Sequence, residues 1–139
     1  MAGTYVLVID LSEGIEIQIG ALGSRSFRAG TYAYVGTAFG PGGFARIDRH
    51  HELACGDRDV RHWHIDYLLG HDDTRLEHAI TFPGADRECE LTDRLPGDRV
   101  AGFGGSDCDC GAHLLAAPGT ETEAVCEAAI DAGGRIRNG

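Results

Sequence analysis

The sequence predicts an α+β fold of the broad α/β class, a small mostly antiparallel three-stranded sheet flanked by helices. Two observations carry this. Strand-like runs recur through the first 36 residues, strictly alternating at Ile15-Glu16-Ile17-Gln18-Ile19, and the spacing turns helical after the break Gly40-Pro41-Gly42-Gly43. At 139 residues the chain is the size of one domain with its own core.

Taken in order, Gly3 to Asp10 reads as a strand, Ser12-Glu13-Gly14 as a turn, and Ile15-Glu16-Ile17-Gln18-Ile19 alternates strictly, so these two strands are expected to form a hairpin. Thr31 to Gly36 is aromatic and β-branched and should add a third antiparallel strand. Phe44, Ile47 and His51 stand at helical spacing within Phe44 to Leu53. His62 to Leu69 reads as a short helix, with a strand as the alternative. Arg75 to Phe82 is a strand, Arg87 to Leu95 a helix, Val100 to Asp109 a glycine-rich loop and His113 to Ala116 a last short strand. Thr122 to Ala132 is an alanine-rich acidic helix closed by Gly133.

All twelve basic residues are arginine, and 22 carboxylates leave a formal net charge of -10. Such a surface repels polyanions at long range, which by itself argues against a generic nucleic-acid binder. An acidic, lysine-free composition also suits a cytoplasm of very high salt and so a halophilic source, where screening leaves arginine-phosphate contacts effective only at close range. No apolar run approaches the roughly 20 residues of a membrane-spanning helix, and the N-terminus lacks a secretory pattern, so a cytoplasmic protein is expected. Five cysteines, an odd number, argue for reduced thiols; Cys55, Cys89 and Cys126 are scattered and read as small apolar residues.

Phosphodiester hydrolysis needs a proton acceptor, positive charge facing the phosphoryl oxygens, and usually a divalent cation on a carboxylate. Tyr32 and Tyr34 share a strand face, Arg46 and His50 are one helical turn apart, and Glu88 opens a later helix. Each is also an ordinary structural residue when taken alone: a core aromatic, a solvated helix face, a first-turn acid.

Together they resemble a family. Gly3-Thr4-Tyr5 stands where the GIY-YIG nuclease superfamily has its first motif, and Tyr34-Val35-Gly36 where it has its second. Arg46 to His50 resembles its helix motif, and Arg87-Glu88-Cys89-Glu90-Leu91 its glutamate motif. His62 to Leu69 and Gly104 to Cys108 further resemble an uncharacterised, largely archaeal branch, members of which occur fused to endonuclease III-type glycosylases. The resemblance implies a GIY-YIG-like domain over residues 1–118 with an extra hairpin strand, followed by a C-terminal helical extension over 119–139 that packs on the domain or stays exposed. It implies a metal-dependent endonuclease acting on DNA, in repair, with Tyr5, Tyr34, Arg46, His50 and Glu88 as its catalytic set. Glu88 would hold one Mg²⁺ or Mn²⁺, Arg46 would steady the phosphate, and Tyr5, Tyr34 or His50 would activate water. DNA or RNA is the implied partner, and a monomer is expected. Two features depart from the pattern: the insertion from Ser12 to Gly30 between the signature motifs, and the glycine-rich run from Thr37 to Gly43. The alternative is a non-catalytic binding module on the same fold.

Cys108, Cys110 and His113 are soft ligands at spacings that can close around Zn²⁺, although a cysteine-x-cysteine in a glycine-rich turn is commonly structural. His62, His64 and Asp66 share a face only if that segment is a strand.

Overall fold

The computed structural model describes residues 3–19, 23–37, 47–48, 68, 71, 73–84, 87–95, 97–100, 114–117 and 120–136. Its strands are β1 (Gly3–Leu11), β2 (Ile15–Ile19), β3 (Gly23–Phe27), β4 (Gly30–Thr37), β5 (Thr74–Pro83), β6 (Asp98–Val100), β7 (Leu114–Ala117) and β8 (Arg135–Ile136). Two helices complete the described elements, α1 (Glu88–Arg94) and α2 (Thr122–Asp131).

The main sheet has the order β6-β7-β4-β1-β5-β8, and every pairing in it is antiparallel. The α+β class with an antiparallel sheet and a C-terminal helix is therefore correct, but the sheet has six strands where three were expected. The extra strands are short: β6, β7 and β8 contribute three, four and two residues.

A second correction concerns the first hairpin. β2 does not pair with β1; it pairs with β3 in a separate two-stranded sheet, and β1 is flanked by β4 and β5. The reason lies in the side chains. β1 carries the unbroken apolar run Tyr5-Val6-Leu7-Val8-Ile9, all buried, so it takes the central position where both faces are covered. β2 alternates apolar with polar and can bury one face only. That face rests on the sheet through Ile15 and Ile17.

The core has two halves, one on each face of the sheet. On one face Val6, Val8, Val35, Ile80 and Phe82 meet Leu91 and Leu95 at α1 and Val125, Cys126 and Ala129 of α2. The C-terminal helix is thus an integral part of the core, and its chain turns back at Gly133, φ 106°, a conformation that favours glycine, before β8 joins β5. On the other face Tyr5, Leu7, Ile9 and Leu11 pack with Tyr32, Phe27, Ile47 and Leu68.

Of the helices expected over Phe44 to Leu53 and His62 to Leu69, Ile47, Asp48 and Leu68 are described, and all three are helical. The other residues of both segments, including His62, His64 and Asp66, lie outside the described residues. So does the expected loop beyond Val100, which itself ends β6. No helix among the described residues is long and apolar enough to cross a membrane.

Candidate functional site

Antiparallel pairing of β1 with β4 brings the two signature segments side by side, with Tyr5 opposite Gly36, Leu7 opposite Tyr34 and Ile9 opposite Tyr32. Tyr5 and Tyr34 project from the same face, their ring centroids 6.5 Å apart with planes inclined by 48°. The Tyr5 ring lies directly across Gly36. A Cβ at that glycine would stand 2.6 Å from both Cζ and the hydroxyl of Tyr5. Glycine ends the motif Tyr34-Val35-Gly36 because no other residue leaves room for the ring that covers it.

The two tyrosines differ in access. Tyr5 is only 2 % exposed, whereas Tyr34 is half-buried, so Tyr34 is the phenol able to meet a bound molecule. Tyr32, two residues earlier on the same face, is committed elsewhere. Its hydroxyl donates to the Arg28 carbonyl at 2.6 Å, and burial raises its phenol above the ordinary range. It is a structural tyrosine.

Glu88 opens α1, whose Leu91 packs on the opposite face of the sheet. The start of that helix is nevertheless tied to the same end of the sheet as Tyr5. The backbone N–H of Arg87 donates to Thr4 Oγ1 at 2.9 Å, and Thr4 is fully buried. Arg87 then anchors the helix a second time: its guanidinium donates to the Ala132 carbonyl at 2.6 Å, pairs with Glu90 and stands 5.1 Å from the centre of the Phe82 ring. Thr4 and Arg87 were not singled out from the sequence as site residues. The available signal was a threonine at the start of an apolar run.

Arg46 and His50 lie outside the described residues, as do Cys108, Cys110 and His113; the Glu88 side chain is likewise outside them, although its backbone is described. Ile47, next to Arg46 in sequence, is helical and buried in the cluster that holds Tyr5. Among the described residues no three His, Cys, Asp or Glu side chains gather to hold a metal ion.

The far end of the sheet has the opposite character. Asp10 pairs with Thr31 there, five residues along β1 from Tyr5, which at about 3.3 Å per residue is roughly 16 Å. An open groove of about 530 Å³ is lined by Asp10, Glu77, Glu121 and Glu123 with Thr31 and Thr122. Four carboxylates make that end repellent to a polyanion, whereas the tyrosine end shows no carboxylate on either signature segment.

No curated protein and no solved structure matches the chain. One family model does, described as a domain of unknown function, and it runs from residue 4 to residue 134, through β1, both described helices and the last turn of the chain. A match of that extent, spanning the tyrosine end and the C-terminal helix alike, makes the chain a member of the DUF123 family.

Proposed function

We propose that the protein is a metal-dependent phosphodiesterase of GIY-YIG type that cuts DNA at the end of the sheet where Tyr5, Gly36 and the start of α1 meet. The observation that carries this reading is the Tyr5 ring seated on Gly36 beside Tyr34. It gives a physical purpose to both signature segments, and the Thr4 to Arg87 hydrogen bond brings the start of Glu88's helix to the same sheet end.

In this reading the half-buried Tyr34 hydroxyl holds the attacking water, and Tyr5, sealed from solvent, positions Tyr34 from below. A phenol with its ordinary pKa of about 10 is a weak base at neutral pH, so His50 is the complementary acceptor for the proton. Arg46 is the cation that the motif resemblance assigns to the developing negative charge on the phosphoryl oxygens. A single carboxylate is a fitting protein ligand for Mg²⁺ or Mn²⁺, which keep several waters and bind substrate phosphate directly. Glu88 is that carboxylate here, and a bound cation would neutralise phosphate charge and acidify the water.

The test is cleavage of labelled single-stranded, duplex, flap and branched DNA, with RNA alongside, in molar KCl with Mg²⁺ or Mn²⁺. Glu88→Ala and Tyr34→Phe should each lower the rate by about 10²-fold or more while leaving the fold intact. A natural protein that binds these substrates and cuts none of them would instead be a non-catalytic module.

A further inference from the structure

The charge at the C-terminal end of α2 runs against the helix dipole. Asp131 is the last residue of the helix, where the partial negative charge of the free carbonyls disfavours a carboxylate, and no basic residue in the last turn offsets it. Asp131 is exposed, and among the described residues it makes no ion pair. Arg135, in β8, is also exposed and also without an ion pair among them. Two opposite charges stand four residues apart and do not meet within the chain.

The same corner carries an apolar surface. Ile130 is 40 % exposed and Ile136 46 %, and no other large apolar side chain among the described residues is exposed. Isoleucines scattered singly over a surface need no explanation. These two are brought to one corner by the fold. Ile130 belongs to the last turn of α2, and Ile136 lies opposite Ile80 at the edge of the sheet, on the face that α2 covers.

The turn between them is firmly held. The Gly133 N–H donates to the Ile130 carbonyl at 2.9 Å, the Gly134 N–H to the Ala129 carbonyl at 3.1 Å, and the Arg87 guanidinium to the Ala132 carbonyl at 2.6 Å. Gly134 sits so close to the sheet that a Cβ there would collide with Ile80 Cγ2 and the Phe82 ring. The corner is therefore pre-organised, and little order is lost when something covers it.

Outward from Gly133, Asp131 and Ile130 are exposed on one side and Arg135 and Ile136 on the other. This arrangement is complementary to itself under a two-fold axis, where every contact of residue i with residue j recurs as j with i. We propose that the α2–β8 corner is a homodimer interface in which Ile130 packs on Ile136 of a second copy and Asp131 pairs with Arg135 of that copy, each contact being made twice. The second copy supplies the positive charge that the helix end lacks and covers both isoleucines. A monomer was the expectation from the sequence, because the pattern exists only once the turn at Gly133 folds β8 back beside α2. The contact is small for an interface, so the dimer is weak, with a Kd on the order of micromolar. Two copies of net charge -10 repel one another through solution, and KCl at 1 M screens that repulsion to a range of about 3 Å.

The experiment is sedimentation equilibrium of the full chain in about 1 M KCl, at roughly 1 to 100 μM protein. It compares the natural protein with Asp131→Arg, with Arg135→Asp, with the exchange Asp131→Arg/Arg135→Asp and with Ile130→Ser/Ile136→Ser. Glu16→Arg, at an exposed position of the β2–β3 hairpin on the other face, controls for the change in net charge, and circular dichroism confirms that every variant folds. The natural protein and the control should dimerise alike. Each single reversal sets like charges together twice and should weaken the dimer at least about tenfold. The exchange should restore it, since the same pairs form with their signs swapped, and the serine variant should weaken it at least about tenfold. A natural protein that stays monomeric throughout would overturn the interface, as would a dimer indifferent to these substitutions or one that the exchange fails to restore.

Discussion

The two faces of the main sheet each carry a buried cluster and differ in what fills it. The helix-covered face is aliphatic apart from Phe82, with Val6, Val8, Val35 and Ile80 beneath Leu91, Val125 and Ala129. The other face carries Tyr5, Tyr32 and Tyr34 among its leucines and isoleucines, and is covered in part by the β2–β3 hairpin. A core that needed only volume would not place three phenols on one side of a single strand pair. The helix face supplies stability; on the tyrosine face Tyr32 does so as well through the Arg28 carbonyl, Tyr5 is buried, and Tyr34 is half-buried.

Mutations can separate these two contributions. The largest stability effect is expected on the helix face, where Leu91→Ala removes a fully buried side chain from between α1 and the sheet and should cost about 2 to 5 kcal/mol by chemical denaturation. Tyr34→Phe on the other face keeps the half-buried ring and should cost far less stability than Leu91→Ala, while lowering the cleavage rate by about 10²-fold or more. If both variants lost stability equally, the division between the faces would be wrong.

The next effect tests the seat of Tyr5. Gly36→Ala places a methyl group 2.6 Å from the ring and must displace it, at about 1 to 3 kcal/mol. The cost should largely vanish in a Tyr5→Ala background, because the colliding ring is then absent. A double-mutant cycle measures this directly, and additive effects would show that the alanine is resisted by something other than Tyr5.

Smaller again is the tie between the faces. Thr4→Val keeps the shape of a fully buried side chain but leaves the Arg87 N–H without its acceptor, for about 1 to 2 kcal/mol. Because that bond sets where α1 begins, activity should fall further than stability alone explains, with kcat reduced although Glu88 is intact.

Much of this arrangement was legible in the sequence, and the gaps have physical causes. β1, β4, β5, α1 and α2 follow from alternation and helical spacing that tertiary packing then respects. β3 was missed because Ser24, Arg25 and Ser26 are solvent-facing and give no apolar alternation. β6 and β8 are too short for any periodicity to register. The partner of β2 was misassigned because proximity in sequence favours a β1–β2 hairpin. The uninterrupted apolar run of β1 already required neighbours on both edges of a fully covered strand, and β2 with its polar face suits the margin. For the proposed site, the motifs pointed to Tyr5, Tyr34, Arg46, His50 and Glu88 but not to the reason for Gly36, which depends on a ring reaching over from another strand. Thr4 and Arg87, 83 residues apart, could be joined only by the fold.

The smallest expected effect concerns the surface of α1, and it sharpens the contrast because it should be confined to the helix face. The Glu90 carboxyl is held below its ordinary range, first by its hydrogen bonds from Arg87 and then by Arg94. A depressed folded-state pKa contributes stability that is fully present above the unfolded value of about 4.3 and is lost as pH falls through the folded value. The Tm of the natural protein should therefore exceed that of Glu90→Gln at neutral pH, and the two should converge in acid, below the folded pKa of Glu90. Because the carboxylate is exposed, molar KCl should shrink the difference at every pH. The Tyr34→Phe variant, compared with the natural protein in the same buffers, should show no such convergence, since Glu90 and its arginines lie on α1, on the other face of the sheet. A pH-dependent Tm gap in Tyr34→Phe would mean that the tyrosine face is coupled to a carboxylate after all, and that the two faces are not independent in the way their packing implies.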